Sequence, residues 1–315
     1  MDPLSDVLSL LRPKGILSAR LECAGSWAFR FPAYRHLKFG NIHSGSAWIW
    51  IEGVTEPVCI REGDFYLITD GKPYILASDL DAKVMDGMTM VAEKWGPDRI
   101  VRFGSGGQQV VGTGGSFTIE DELRSLLLNL LPPIILIQAK SDHARPLRAA
   151  LDLMEYETSD VRSGTDAIAE NLANIVLVNI LRVYLADLVR SAQTHTTSWL
   201  GALKDAQIGE ALTRMHADVA KRWKVEHLAS GVGMSRTTFC VRFKALVGVP
   251  PLEYLIHWRM MIARDALKNG RDTLSDIAMR VGYPSETSFS AAFKNAFGQS
   301  PGRLRSLIRS ENAHQ

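Results

Sequence analysis

The chain has few cysteines, little net charge and no long apolar run. Its three cysteines, Cys23, Cys59 and Cys240, lie far apart and form no Cys-x-x-Cys pair. The sequence therefore predicts neither a zinc ribbon nor a disulfide framework, and it favours a reducing cytoplasm. No run approaches the roughly 18 apolar residues of a membrane span, and the acidic start lacks the basic region of a secretory signal. We expect a cytoplasmic protein that does not bind membranes.

The small net charge hides an uneven distribution. A length of 315 residues predicts two domains. Residues 1–200 hold 19 lysines and arginines against 24 aspartates and glutamates, whereas residues 201–315 hold 17 against 10. An acidic first part and a basic second part cancel to a total of +2. Only the second part suits the phosphates of a nucleic acid.

The first part changes its hydrophobic period along the chain. Residues 27–76 alternate apolar and polar side chains between glycines and prolines, which is typical of antiparallel strands. After residue 120 the apolar residues recur every three or four positions, which indicates helices. The longest helical pattern, residues 165–191, is apolar on more than one side, so we expect it to have two partners. One partner is its own domain, and the other is a second copy of the chain or more of that domain.

The second part contains an internal repeat. Residues 228–251 recur in residues 277–301 with a Val-Gly pair, two phenylalanines four residues apart and a Gly-x-x-Pro end in the same order. Each copy predicts a helix-turn-helix, in which the glycine permits a tight turn. We place the units at about 225–247 and 274–297, joined by a helix over 251–269. That helix spans about 27 Å, enough to hold two recognition helices about one DNA turn apart.

The second helix of each unit is the candidate contact to double-stranded DNA. Ser235 and Ser285 stand where they can cap these helices, and Lys244 and Lys294 at the far ends suit phosphates. Short side chains able to approach base edges occupy the faces left free by the phenylalanines. They are Arg236, Thr237, Cys240 and Val241 in the first unit, and Glu286, Thr287, Ser290 and Ala291 in the second. The alternative is that these are ordinary solvated helix faces.

Short motifs support this interpretation. They are Met234-Ser-Arg236, Phe-x-x-x-Phe-Lys in both units, Tyr254-Leu-Ile-His-Trp-Arg-Met260, Gly282-Tyr283 and Phe297-Gly-Gln-Ser-Pro301. On these residues the stretch 208–305 resembles the AraC/XylS family of bacterial transcription regulators. The resemblance implies two helix-turn-helix units joined by a long helix, RNA polymerase as a partner, and activation as the usual output.

The resemblance also assigns residues to base reading. It places the base readers of the first recognition helix at Thr237, Cys240 and Val241, and those of the second at Glu286, Thr287, Ser290 and Ala291. Many relatives have arginine in place of Ala291, and a closing Tyr-Arg where this chain has Leu304-Arg305. We therefore expect the second unit to read sequence weakly and mainly to position the protein.

The first part is similar to the cupin-type sensor domains found in some of these regulators. The similarity rests on Gly45-x-Ala-Trp48, Gly63-Asp-Phe-Tyr-Leu-Ile68, Leu131-Pro-Pro133 and Ile180-Leu-Arg-x-Tyr-Leu185. It implies an α+β chain: a cupin-like β-barrel followed by helices in residues 1–195, then an all-α DNA-binding domain in residues 200–315. Such sensor domains bind or sense an effector and often dimerise, so we expect a homodimer through helices in residues 120–191.

The sequence gives no sign of a catalytic or metal site. Metal-dependent cupins use a histidine cluster, but only His36 and His43 lie on the predicted strands, and Tyr74 stands where a histidine commonly follows. We expect no metal, no cofactor and no catalytic residue. The alternatives to a regulator are a cupin-like metal-dependent enzyme with an accessory helical domain, and an adaptor that has lost DNA binding.

Two kinds of signal could act on the sensor domain. Arg30, Arg35 and His36 lie near the first strands and could clamp a small anionic effector together with His43 and Tyr74. Ordinary surface ion pairs are the alternative for these cations. Cys23 lies in Cys-x-Gly-x-Trp surroundings similar to those of relatives that respond to oxidants, so it is the candidate redox residue, with a buried inert thiol as the alternative.

Overall fold

The chain folds into two compact units. The computed structural model describes residues 2–11, 14–96, 98, 100–118, 131–141, 144–159, 162–190, 199–269 and 272–312. One unit is Pro13–Gln193. The other joins Met1–Arg12 to Thr194–Gln315. The first residues of the chain therefore fold with its C-terminal part.

The Pro13–Gln193 unit is built on two sheets. The described strands are β1 (Lys14–Ala24), β2 (Ala28–Phe31), β3 (Leu37–Ser44), β4 (Ser46–Ile51), β5 (Val58–Arg61), β6 (Phe65–Ile68), β7 (Tyr74–Ala77), β8 (Val84–Asp86), β9 (Ile100–Phe103), β10 (Gln109–Thr118) and β11 (Ile134–Ile137). Six of them form a sheet in the order β11-β6-β3-β10-β1-β9. The other five form a second sheet in the order β5-β4-β7-β2-β8.

The alternation in the sequence puts one face of each sheet into a shared core. In β4, Ala47, Ile49 and Ile51 are fully buried, whereas Trp48 and Trp50 between them are partly exposed. They join apolar residues of the other sheet, such as Ile68, in one cluster. The predicted α+β class is confirmed, but the described strands form two packed sheets, not the single closed barrel that we expected, because the hydrogen bonds run within each set of strands.

Helices flank the sheets of this unit. They are α2 (Gly87–Lys94), α3 (Arg145–Ser159) and α4 (Thr165–Arg190). Helix α4 packs on β1, β11 and α3. Residues 167–186 of α4 are long and apolar enough to cross a membrane by length and composition alone. Ala173, Val176 and Ile180 are buried in the unit, whereas Ile168 and Ile175 are exposed, so α4 packs one side against the folded domain.

The other unit is helical in its described residues. Its helices are α1 (Pro3–Leu11), α5 (Trp199–Ala202), α6 (Ala206–Ala217), α7 (Val225–Gly231), α8 (Arg236–Val247), α9 (Pro251–Asn269), α10 (Leu274–Arg280), α11 (Glu286–Phe297) and α12 (Pro301–Asn312). The pairs α7–α8 and α10–α11 are the two helix-turn-helix units. Helix α9 contacts α8 at one unit and α10, α11 and α12 at the other, so one continuous helix joins them.

Helix α1 is held on this unit by a chain of buried hydrogen bonds. It packs on α6 and α9. Trp199 Nε1 donates to Tyr254 Oη at 2.9 Å, and Tyr254 Oη lies 2.8 Å from His216 Nε2. His216 Nδ1 lies 3.2 Å from Asp6 Oδ2 on α1. The pattern fits a neutral imidazole that accepts from Tyr254 and donates to Asp6.

The charge state of His216 follows from its burial. Its side chain is fully buried and stacks on Trp258, with ring centroids 4.2 Å apart. Burial lowers the pKa of His216 to about 4, although the Asp6 carboxylate pulls the pKa upward. Desolvation dominates because Tyr254 and Trp258 surround the ring. His216 is therefore neutral at pH 7, and its contact with Asp6 is a hydrogen bond and not an ion pair.

Candidate nucleic-acid interface and sensor cavity

The two candidate recognition helices, α8 and α11, are built alike. The Ser235 hydroxyl accepts from the backbone N–H of Thr238 at 3.2 Å, and the Ser285 hydroxyl accepts from the backbone N–H of Ser288 at 3.2 Å. Each helix has 12 residues and ends at a left-handed glycine, Gly248 in α8 and Gly298 in α11. Because the two helices have the same caps and the same length, corresponding residues lie at the same positions on each helix.

A pair of phenylalanines fixes which face of each helix is free. Phe239 and Phe243 of α8 are fully buried, as are Phe289 and Phe293 of α11. Because residues four apart lie on the same side of a helix, the opposite side faces solvent. On that side Thr237, Val241, Lys244, Thr287, Ala291 and Lys294 are exposed, and Cys240 and Ser290 beside them are partly exposed. Arg236 and Glu286 are exposed in the first turn of their helices.

Val241 is the most informative residue of the exposed face. Its side chain is 67% exposed although it is apolar and lies in the middle of α8. An isolated exposed apolar side chain is ordinary on a protein surface. Here it lies between Thr237 and Lys244, next to polar side chains on the same face, and an apolar contact of this kind can meet the methyl group of thymine.

The two exposed faces differ in charge. Among the proposed contacts α8 carries Arg236 and Lys244, whereas α11 carries Lys294 and begins with Glu286. Arg242 of α8 is paired with Asp205. Arg236 Nε is 3.1 Å from Glu226 Oε1 on α7, and both side chains are well exposed. Such an exposed pair is weak and leaves Arg236 available to a phosphate. The first unit therefore has the stronger positive field.

The turns of the two units also differ, because only one of them is crowded. Gly233 and Gly282 both have positive φ, 70° and 79°. A Cβ at Gly282 would lie 2.4 Å from the backbone oxygen of Ala220, whereas a Cβ at Gly233 would meet nothing within 4 Å. The second turn therefore requires glycine for space as well as for conformation.

Comparison with known proteins agrees with this geometry. A family model described as "Cupin" matches residues 2–186, and one described as "Helix-turn-helix domain" matches residues 228–306. An AraC-like transcription regulator of Streptomyces lividans is 40% identical over 305 residues, which cover 97% of this chain and 98% of the relative. The chain belongs to the AraC-like transcription regulators. The HTH-type transcriptional regulator AlkR of Acinetobacter baylyi is 32% identical over 312 residues, which cover 97% of this chain and 99% of the relative.

A solved structure of a DNA-binding domain is also similar to part of the chain. It is the DNA-binding domain of AdpA in complex with a target DNA, at 28% identity and a TM-score of 0.34, covering 36% of this chain and 100% of that one. Family membership establishes that this AraC-like regulator is a sequence-specific DNA-binding protein with a cupin-type first domain and a helix-turn-helix second domain. The relatives of Streptomyces and Acinetobacter are named as transcription regulators.

The Pro13–Gln193 unit, named the sensor unit below after its predicted role, contains a partly open cavity of about 370 Å³. Strands of both sheets and helix α2 line it, and Met88 and Trp95 in the lining are partly open to solvent. Most of the lining is apolar, and the polar side chains in it are Lys38, Tyr34, Tyr66 and Tyr74. Tyr74 is the one predicted effector residue among the described lining residues.

The other predicted effector residues lie outside that described lining. Arg30 is held by Glu52 in a two-pronged contact, with both N–O distances 2.8 Å. His43 Nε2 is 3.0 Å from the Thr113 hydroxyl. Arg35 is exposed and His36 is partly exposed. The structure therefore does not gather Arg30, Arg35, His36 and His43 around Tyr74.

Sequence reasoning missed Lys38, Tyr34 and Tyr66. The available signal was a lysine between two apolar residues in Leu37-Lys-Phe39, within the stretch predicted to form strands. Gly114 and Gly115 of β10 line the cavity and leave room in it.

The candidate redox residue, Cys23, is a core residue. Its side chain is 1% exposed, and burial raises the pKa of the Cys23 thiol to about 12. A reactive thiol needs exposure and a lowered pKa. The environment of Cys23 is that of an inert structural thiol. Among the described residues, no three histidines, cysteines or carboxylates come together as metal ligands.

Proposed function

We propose that this AraC-like regulator activates transcription in the cytoplasm when a small effector binds its cupin-type unit. The observation that supports the DNA contact best is the matched pair of capped helices, each with a buried phenylalanine pair and a free face. In this proposal the protein binds duplex DNA as a homodimer and recruits RNA polymerase. The effector acts because it binds two arrangements of the protein with different affinity.

The residues of the first recognition helix have distinct roles in this proposal. Thr237, Cys240 and Val241 read base edges in the major groove, and Arg236 and Lys244 contact phosphates. In the second helix the predicted contacts are Ser285, Glu286, Thr287, Ser290, Ala291 and Lys294. Because α11 begins with a carboxylate, it contributes less affinity and less sequence selectivity than α8.

A gel-shift experiment tests the unequal roles with a matched pair of variants. Thr237 and Thr287 occupy the same exposed position in the two helices. On a genomic fragment selected by the wild-type protein, Thr237→Ala should weaken binding about 5- to 100-fold, the range for one lost base contact. Thr287→Ala should weaken it less than threefold. Equal losses would contradict the assignment, and no specific shift by the wild-type protein would favour the adaptor alternative.

The phosphate role of Lys244 has a different signature. Lys244→Ala should weaken specific and non-specific binding alike and should reduce the slope of log K against log salt by about one. The control is Lys83→Ala, which removes an exposed lysine of the sensor unit. A Lys244→Ala variant with the wild-type salt slope would exclude a phosphate contact.

Dimerisation is proposed through α3 and α4. Leu153, Tyr156, Ile168 and Ile175 expose large apolar surfaces on these helices. Residues 119–130, which also fall in the predicted dimerisation segment, lie outside the described residues. Ile168 and Ile175 are seven residues apart and so lie on the same side of α4, as a helix–helix interface requires.

A further inference from the structure

The cavity of the sensor unit has a composition that restricts its ligand. Its lining contains the apolar side chains Leu21, Phe31, Phe39, Leu76, Val91 and Trp95. Lys38 is the one charged side chain among the described residues that line it. A mostly apolar pocket with a few convergent polar groups is the usual form of a small-molecule site.

The polar side chains of the lining lie next to one another. Lys38 Nζ is 5.8 Å from the centre of the Tyr34 ring. The Tyr34 ring meets the Tyr74 ring edge to face, with centroids 5.6 Å apart. Tyr66 lies opposite Gly40 of β3, whose missing side chain leaves space for the Tyr66 hydroxyl; a Cβ there would lie 2.4 Å from that oxygen. Tyr66 and Tyr34 both lie near enough to Tyr74 to help raise the pKa of its phenol. One ammonium and three phenol groups therefore form a single polar cluster in an apolar cavity.

The cluster offers one positive charge and neutral donors. Burial raises the pKa of Tyr66 to about 12 and raises the pKa of Tyr74 well above its usual value, so both hydroxyls stay protonated at pH 7. Burial lowers the pKa of Lys38, because its ammonium has lost water. No carboxylate of the described residues forms a salt bridge with Lys38. An anion in the cavity would restore what the ammonium lost on burial.

We infer that the cavity binds an apolar monocarboxylic acid, whose carboxylate is received by Lys38 and the hydroxyls of Tyr66 and Tyr74. The inference rests on the proposed function, since it names the class of effector. One lysine balances one negative charge, which favours a carboxylate over a doubly charged phosphate ester. Ligand pockets commonly measure about 300–1,000 Å³, and at about 370 Å³ this cavity suits a ligand at the small end of that range. Decanoate has that size and is the probe.

Binding is measured by calorimetry on the full chain with four probes. Decanoate should bind, and 1-decanol should bind about 10- to 100-fold more weakly because it lacks the charged contact. Acetate should not bind, because it lacks an apolar chain. Decyl phosphate should bind more weakly than decanoate. Decanol binding as tight as decanoate, or decyl phosphate binding more tightly than decanoate, would overturn the inference.

Three variants locate the site. Lys38→Met should weaken decanoate binding about 10- to 100-fold and change 1-decanol binding less than threefold, which also shows that the cavity still folds. Lys83→Met is the matched control, because Lys83 is exposed on the same unit and is not among the lining residues. Ala33→Trp places a large ring at an exposed position of the lining and should abolish binding of both probes. Decanoate binding unchanged by Lys38→Met or by Ala33→Trp would overturn the assignment.

Separate outcomes test the ligand class of the cavity and the role of that ligand as effector. If decanoate binds with the expected dependence on Lys38 but changes neither DNA affinity nor reporter output, the assignment of the cavity stands and effector control is wrong. If decanoate does not bind and another compound changes DNA affinity, effector control stands and the ligand class is wrong.

Discussion

At the scale of single residues, the two turn glycines make a controlled comparison. Gly282→Ala should lower the free energy of unfolding by about 2–4 kcal/mol, because it adds a clash with Ala220 to the unfavourable left-handed backbone. Gly233→Ala should lower it by only about 1 kcal/mol, because its backbone is strained but its surroundings are open. Urea unfolding of the full chain, followed by circular dichroism, measures both losses. Equal losses would contradict the close approach at Gly282.

The environment of Cys23 predicts its reactivity. With a pKa of about 12, only about one thiol in ten thousand is ionised at pH 8. In the native protein a disulfide reagent should therefore modify Cys59 and Cys240, which are partly exposed, and should reach Cys23 only after unfolding. Cys23→Ser should leave the fast phase of labelling unchanged, whereas Cys240→Ser should remove part of it. Fast labelling of native Cys23 would restore the redox hypothesis.

At the scale of elements, local sequence patterns predicted the helical C-terminal fold. They did not predict contacts between residues that are far apart in the sequence. The Val-Gly turn and the paired phenylalanines recur in both units, so each unit's fold is encoded within a short stretch of sequence. The cavity is different, because Lys38 and Tyr74 come from strands of different sheets. Strand alternation tells which face a residue occupies but not which residue of another sheet it meets.

Helix α1 is an element whose place the sequence did not reveal. The structure packs α1 on α6 and α9, where Asp6 meets His216. No motif in the first residues marks that contact, since it joins positions 210 residues apart.

The buried imidazole behind α1 makes stability depend on pH. His216 has a folded-state pKa of about 4, below the usual 6.5. Folding disfavours the protonated form of His216. The contribution of the neutral side chain to the free energy of unfolding is therefore complete above pH 6.5 and is lost as the pH falls towards 4. The loss between pH 7.5 and 4.5 should be on the order of 2–3 kcal/mol.

Urea unfolding at these two pH values checks the prediction with a pair of histidine variants. His216→Gln should show a smaller loss than the wild-type protein, because it removes the titrating group. His227→Gln, at an exposed position of α7, should behave like the wild-type protein. The same pH dependence in all three proteins would show that His216 is not the group responsible.

At the scale of the whole molecule, assembly is the property to test. Ile175→Arg places a charge on the exposed side of α4 and should convert a dimer into a monomer in light scattering. It should also weaken operator binding, because two linked half-sites bind more tightly than one. Leu307→Arg is the matched control, since Leu307 of α12 is about equally exposed, at 46% against 48% for Ile175. A dimer that survives Ile175→Arg would place the interface elsewhere.

The division of the chain makes the sensor an inserted domain. Residues 1–12 and 194–315 form one unit, so the chain leaves that unit, builds the sensor and returns to it. Strand β1, which begins the sensor, packs against α4, which lies at its other end, and close termini are what tolerate insertion of one domain into another. The sensor thus has two covalent connections to the DNA-binding unit.

Because the sensor unit is connected to the DNA-binding unit at both of its ends, a complete DNA-binding fragment must contain residues from both sides of the sensor unit. A piece that starts at residue 194 lacks α1 and exposes His216, so it should unfold at a lower urea concentration than a chain in which residues 1–12 are linked directly to residue 194. If the two fragments unfold alike, α1 adds no stability. If the linked fragment is the more stable, the DNA-binding unit of this protein is discontinuous in sequence, and a cut anywhere in the sensor leaves it in two pieces.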